Sequence, residues 1–224
     1  TAAATLAASV NYPLRGAVTF KSTVGTNVAS DALANLASGG VTGGAMLIVG
    51  EDYGEGSSIM QERSHAFAMK SQFWLLDPRP NLPCITKAVK DGFELSEASN
   101  TPVMLMVRIR SCHVTGSFQT RDNQRPKLSV KDALSNPQSD FARVVLPPMS
   151  FAHEQDKIKN RWPNAGAPCE QQPPISRHLH LLFQVGDRPG HHRTHDPGQQ
   201  HCDDEQHADE PDPADDQLEA QARH

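Results

Sequence analysis

Apolar positions along the chain fall into four short runs with little polar interruption: Ala17 to Phe20, Ala45 to Val49, Phe73 to Leu76 and Val103 to Ile109. Runs of this length, without strict alternation, predict strands buried on both faces. Between them the period changes. Val28, Ala29, Ala32, Leu33 and Leu36 recur at helical spacing over Val28 to Ala37, and Gly39 with Gly40 stops that helix. Ile85, Ala88, Val89, Phe93 and Leu95 repeat the pattern over Ile85 to Ala98, with Lys87, Lys90 and Asp91 facing out. The Ala-rich opening from Thr1 to Ser9 reads as a helix broken by Asn11, Tyr12 and Pro13. Strand and helix in alternation predict an α/β fold, a parallel sheet flanked by helices on both faces. In such sheets ligands sit beyond the carboxyl ends of the strands, which is where Lys21 to Asn27 and Gly50 to Ser58 fall.

Beyond Thr115 the pattern weakens. Thr120 to Pro126 reads as an exposed linker, Val144 to Pro148 as a short edge segment and Phe151 to Trp162 as a mostly charged helix. From Pro163 the composition shifts to His, Pro, Gln, Asp and Arg, apolar only at Leu179 to Val185. Too little apolar surface remains there to offset an ordering entropy of about 1 to 2 kcal/mol per residue, so a disordered C-terminal tail is expected. Residues 1–162 are thus one domain, and 163–224 a low-complexity tail or the product of a shifted reading frame.

Composition narrows the function classes. The 224 residues carry a formal net charge of -5 and no basic stripe, which argues against nucleic acid. No apolar run approaches the ~18 residues of a membrane span, and the opening lacks the basic start of a signal peptide, so a cytoplasmic protein is expected. Cys84, Cys112, Cys169 and Cys202 are widely spaced, with no CxxC, and read as free thiols rather than ligands of zinc or iron–sulfur.

More specific information lies in the residues at the strand ends. Phe20 to Asp31, Gly43 with Gly44, Glu51 and Asp52 followed by Gly54, Ser57 and Ser58, then Gln61 and Arg63 occur in one order. Leu75 to Pro78, Phe93 to Glu97, Thr101 to Met104 and Arg110 to His113 continue the series. Over roughly the first two thirds of the chain this resembles the thiamine-diphosphate-dependent 2-oxoacid:ferredoxin oxidoreductases, within them the indolepyruvate-type alpha subunits. The resemblance implies a pyrimidine-side domain of that family. In the full enzyme it implies thiamine diphosphate with Mg, an iron–sulfur cluster elsewhere, a 2-oxoacid substrate, CoA, ferredoxin and a homo- or hetero-oligomer. In relatives the Glu that activates the cofactor lies just before the first strand, ahead of Thr1 here, and a Gly-Asp-Gly with a downstream Asn binds magnesium diphosphate. Neither is present, Gly186-Asp187-Arg188 having the wrong third residue. The expectation is an N-terminally truncated domain that retains no cofactor by itself, with no catalytic residue or metal ligand assigned.

The site residues implied by the resemblance are loop residues. Lys21, Ser57, Ser58, Gln61 and Arg63 stand on the substrate side, and Thr23, Gly25 and Asn27 on the cofactor side. Each has a plainer role open to it. Lys21 can reach a carboxylate or be solvated at a strand end. Thr23, Gly25 and Asn27 open a helix, where anions are favoured, yet Ser22, Thr23 or Thr26 can equally cap it. Arg63 can clamp a carboxylate or pair with Glu51, Glu55 or Glu62. Cys112 and His113 suggest a thiolate–imidazole pair, but neighbours on a strand point to opposite faces. The histidines and Cys202 of the tail follow from composition rather than metal binding. Two functions compete: a fragment of an enzyme that oxidatively decarboxylates aryl pyruvates such as indolepyruvate to acyl-CoA, and a non-catalytic α/β binding or assembly module of the same fold.

Overall fold

A computed structural model describes residues 1–165 apart from 8–11, 53, 55–60, 62, 124, 127 and 138. Four strands, β1 (Gly16–Lys21), β2 (Ala45–Glu51), β3 (Trp74–Leu76) and β4 (Val103–Arg108), form a parallel sheet in the order β1-β2-β4-β3. The helices are α1 (Ala2–Leu6), α2 (Ser30–Gly39), α3 (Ser64–Ser71), α4 (Leu82–Ser99), α5 (Ile109–Cys112), α6 (Val130–Ser135) and α7 (Met149–Asp156). Register is continuous, with Lys21 opposite Gly50, and Glu51 opposite Arg108.

Side chains two apart on a strand share a face, and that period sorts the core into two layers. Leu47, Val49, Leu75, Met104 and Met106 pack with Leu6, Leu33, Leu36 and Phe73 on one face. Met46, Trp74, Leu76, Val103 and Leu105 pack with Ala88 and Leu95 of α4 on the other. β2 and β4 are therefore covered on both sides. β1, expected to be fully buried, is an edge strand of alternating burial in which Ala17 and Thr19 are exposed. Val18 and Phe20 pack on one core layer while Ala17 and Thr19 point to the opposite face, so the alternation records a strand covered on one face.

α4 begins three residues earlier than the apolar spacing indicates, because Asn81 caps it: its Oδ1 accepts the Cys84 N–H at 2.8 Å. Ile109 is not the last residue of β4 but the first of the short helix α5. Val144 to Pro148 is not a strand. Pro147 and Pro148 have no N–H to donate to a ladder, and the Leu146 N–H turns to the Val144 carbonyl at 3.0 Å.

The segment after Asp140 closes the amino edge of the sheet. His153, Lys157 and Arg161 form a buried stripe on α7 and the wider turn that follows it, Lys157–Arg161. The Arg161 guanidinium donates to the Ala37 carbonyl at 2.8 Å, the Ser38 carbonyl at 2.9 Å and Thr101 Oγ1 at 3.2 Å. Arg143 Nη1 donates to the Gly39 carbonyl at 3.1 Å. Two cations thus satisfy the last carbonyls of α2, where the helix dipole favours positive charge. Gly40 makes room: its φ of 75° suits glycine, and a Cβ would lie 2.9 Å from Arg161 Cζ. Burial pushes the Arg161 guanidinium down to about 10; Asp156 and Glu154 oppose that shift and Arg143 adds to it, and the side chain stays charged at neutral pH. The chain then turns through Pro163–Ala165, where Ala165 is fully buried with the α4 layer, so packing runs three residues past the expected boundary at 162. The rest of the expected tail, and the unit Arg188–His224, lie outside the described residues.

Replacing Arg161 by Met leaves three buried acceptors without a donor. At ~1 to 3 kcal/mol for each such group, partly relieved by water, the expected loss is about 3 kcal/mol, or a melting point lower by about 10 °C in calorimetry.

Candidate functional site

Parallel pairing brings the carboxyl ends of β1, β2 and β4 to one edge. An open cleft of about 280 Å³ lies there, lined by Lys21, Gly50, Glu51, Asp52, Ile109 and Cys112. Of the described residues expected at the site, Lys21 alone lines this cleft. Its Nζ sits 2.7 Å from Asp52 Oδ2, so the ammonium is neither simply solvated nor held free for a ligand. The pairing follows from the register: Lys21 ends β1 opposite Gly50, and Asp52 is the second residue past that glycine.

Glu51 and Asp52 are adjacent and do different work. Asp52 turns outward to Lys21. Glu51 turns inward, 3% exposed, and its Oε2 accepts the Ser64 N–H at 2.8 Å, placing a carboxylate on the N-terminus of α3. No side chain of its own caps α3, whose N-cap is Arg63. Gln61 is exposed and its Oε1 accepts the Gly54 N–H at 2.5 Å, which ties the two ends of the loop together. Ser57 and Ser58 lie outside the described residues, as do Glu55 and Glu62, two of the carboxylates offered to Arg63.

The segment Lys21 to Asn27 leaves β1 directly into a wide helical turn, Ser22–Thr26, followed by α2. Thr23 lies in its first half. Capping of α2 by Ser22 or Thr26 does not occur: the N-cap is Ala29, and the Thr26 hydroxyl donates to the Ser22 carbonyl inside the turn. Gly25 has a packing reason. A Cβ there would lie 2.5 to 2.6 Å from the Phe20 side chain, so glycine lets the turn rest on that ring. Asn27 is exposed at the end of the turn.

Cys112 and His113 do not occupy a strand. Cys112 ends α5, and its thiol donates to the Val107 carbonyl at 3.8 Å beside the cleft, while His113 is exposed. Cys84 and Cys112 are free thiols; Cys169 and Cys202 lie outside the described residues.

A second polar group at the same edge escaped the sequence reading. Asp77, just past β3, is gripped by Arg108 at the end of β4: Nε reaches Oδ1 at 3.1 Å and Nη2 reaches Oδ2 at 2.5 Å, with His65 Nε2 3.7 Å from Oδ2. Burial acts to raise the Asp77 carboxyl, but His65 and the Arg108 guanidinium outweigh it and hold the group below the usual range. The clue was there, an acid closing one apolar run and an arginine closing the strand beside it, but strand order was needed to pair them. Among the described residues no group of three His, Cys, Asp or Glu could hold a metal ion, and no helix is long and apolar enough to cross a membrane.

A depressed carboxyl contributes stability that is complete above the unfolded value near 4 and is lost as pH falls through the lower native value. The melting-point gap between wild type and Asp77→Asn is therefore expected to persist from pH 7 to 5 and to shrink below pH 4. A gap independent of pH down to 2 would contradict the pairing.

No family model matches the chain, and no solved structure matches it. Among curated proteins the chain is similar to indolepyruvate oxidoreductase subunit IorA of Methanothermobacter marburgensis, 33% identical over 106 residues. That alignment covers 47% of this chain but 17% of the relative, so the chain spans a small part of the protein it is similar to. The similarity supports a distant relationship, over a fragment, to the indolepyruvate oxidoreductase family, and with it an oxidoreductase-like origin.

Proposed function

We propose that the carboxyl edge of this sheet is one wall of a site for thiamine-dependent oxidation of a 2-oxoacid, an aryl pyruvate such as indolepyruvate, completed by structure that the described residues do not supply. In the full enzyme the product would be acyl-CoA, with electrons passing through iron–sulfur to ferredoxin. The observation that carries this reading is a coincidence of two independent features. The residues resembling the family are those ending β1 and β2, and the parallel sheet brings those strand ends to one edge, where such folds bind ligands.

The described residues do not fit the cofactor itself. Magnesium diphosphate is met by one or two carboxylates besides its own phosphate oxygens, and the two carboxylates at the cleft are engaged within the chain. The lysine nearest the cleft is neutralised by Asp52, and the buried Glu51 serves the N-terminus of α3. No chemical step is therefore assigned to this chain. Its residues orient one side of a substrate: Lys21 as the cation near a carboxylate, Gln61 by fixing the loop, Arg63 by opening α3. Thr23, Gly25 and Asn27 stand in, or at the end of, the turn beside them on the cofactor side, and Ser57 and Ser58 belong to the same proposal by sequence alone. The competing module reading draws on two observations, the neutralised Lys21 and a Gly25 explained by packing on Phe20.

Two measurements follow. Calorimetry of the purified chain with thiamine diphosphate and Mg is expected to show no binding tighter than millimolar, since neither anchoring part is present; micromolar affinity would mean that the cofactor site has been misplaced. Asp52→Asn releases Lys21 from a surface pair worth up to ~1 kcal/mol, so the affinity of the chain for indolepyruvate should rise up to about five-fold in an NMR titration. An unchanged titration, with no shifts at Lys21, favours the module.

A further inference from the structure

Two features of the cleft are left over once the fold has been explained. One is Gly50. It lies inside β2, set between Lys21 of β1 and Val107 of β4, where a side chain would strengthen the strand. Gly25 and Gly40 make room for side chains of the protein itself, but a Cβ at Gly50 would meet nothing within 4 Å among the described residues. Neither packing nor backbone conformation calls for glycine at this position. It does leave bare backbone on the wall of the cleft, where a ligand can approach closely.

The other is Glu51, which is engaged by one oxygen only. Its Oε2 accepts the Ser64 N–H, while Oε1 is buried with no donor among the described residues, and the Ser64 hydroxyl does not turn to it. A bare buried acceptor is costly, and more so on a charged group. Glu51 lines the cleft next to Gly50, which puts the N–H of a bound ligand within its reach. Ile109 and Cys112 add aliphatic and sulfur surface, which suits an aromatic ring, and Lys21, once parted from Asp52, suits a carboxylate. The lining therefore matches a ligand with an anionic end, a flat apolar body and an N–H donor. A small 2-oxoacid has the first of these and phenylpyruvate the first two; an indole 2-oxoacid has all three. The cleft, about 280 Å³, is at the small end of ligand pockets, as fits one fused ring on a short acid.

We propose that Gly50 and Glu51 set the specificity of the cleft for an indole 2-oxoacid: the fused ring lies against the Gly50 backbone beside Ile109 and Cys112, and its N–H donates to Glu51 Oε1. The inference rests on the function proposed above and deepens it, and its test separates the two. The full chain is titrated by NMR with pyruvate, phenylpyruvate, indolepyruvate and the benzothiophene analogue of indolepyruvate, which has sulfur in place of the ring N–H. All four should shift Lys21. Indolepyruvate should bind about ten-fold tighter than its sulfur analogue, as a hydrogen bond to a charged group implies. Glu51→Gln should abolish that difference, because its carbonyl keeps the Ser64 N–H and its amide presents a donor to the ring instead of an acceptor. If that variant does not fold, the ligand pair on the wild-type chain decides by itself. Gly50→Val, whose side chain has open space beside the strand, should weaken indolepyruvate about ten-fold more than it weakens pyruvate. Equal affinity for indolepyruvate and its sulfur analogue, a difference that survives Glu51→Gln, or an equal loss for both acids in Gly50→Val would overturn the inference and leave the 2-oxoacid site standing. No shift at Lys21 with any of the four would overturn both.

Discussion

The constraint on which the molecule depends is the parallel pairing of β2 between β1 and β4. Parallel strands cannot be joined by tight turns, so each connection must cross the sheet and return, and helices are the economical way to do so. The consequence is polarity: all four strands end on one edge. Lys21, Glu51, Asp52, Asp77 and Arg108 come from four stretches far apart in sequence and meet there only because the strands that carry them run the same way. In an antiparallel sheet half of these groups would lie at the opposite end.

The two edges are treated differently. At the amino edge, Arg161 and Arg143 take up the carbonyls that end α2. At the carboxyl edge charges are matched in pairs, Lys21 with Asp52 and Arg108 with Asp77, around an open cleft. Lys21 costs little to separate from Asp52, since exposed pairs are worth at most about 1 kcal/mol, whereas the buried arginine cannot be removed without leaving bare carbonyls. The first edge holds the fold together and the second is free to rearrange around a ligand, which is the physical content of calling one structural and the other a candidate site.

How far the sequence reveals this can be judged element by element. β2 and β4 are legible because burial on both faces demands unbroken apolar runs, and α4 because eighteen residues of helical period leave little alternative. β1 reads as buried because its residues are small and apolar, and its place at the edge is set by strand order, which periodicity does not encode. α7 is legible as a mostly charged helix, but which side faces inward is not: binary patterning assumes that apolar side chains face inward, and here the inward face is bought with hydrogen bonds from His153, Lys157 and Arg161. At the site, Lys21 is legible as a strand-end cation, but its partner is not, since the Lys21–Asp52 pair spans thirty-one positions and depends on register. The Asp77–Arg108 pair is hidden in the same way.

The end of β2 shows how one local rule divides these roles. Successive side chains on an extended backbone alternate in direction, so two adjacent carboxylates find different partners. Glu51 goes inward, where the N-terminus of α3 supplies a backbone N–H and the positive end of a dipole, and Asp52 goes outward to Lys21. The inward carboxylate fixes where α3 starts, and Arg63, its N-cap, is thereby held at a defined distance from the strand end rather than left to the loop. The spacing between β2 and α3 is therefore as much a part of the candidate site as any side chain that lines it.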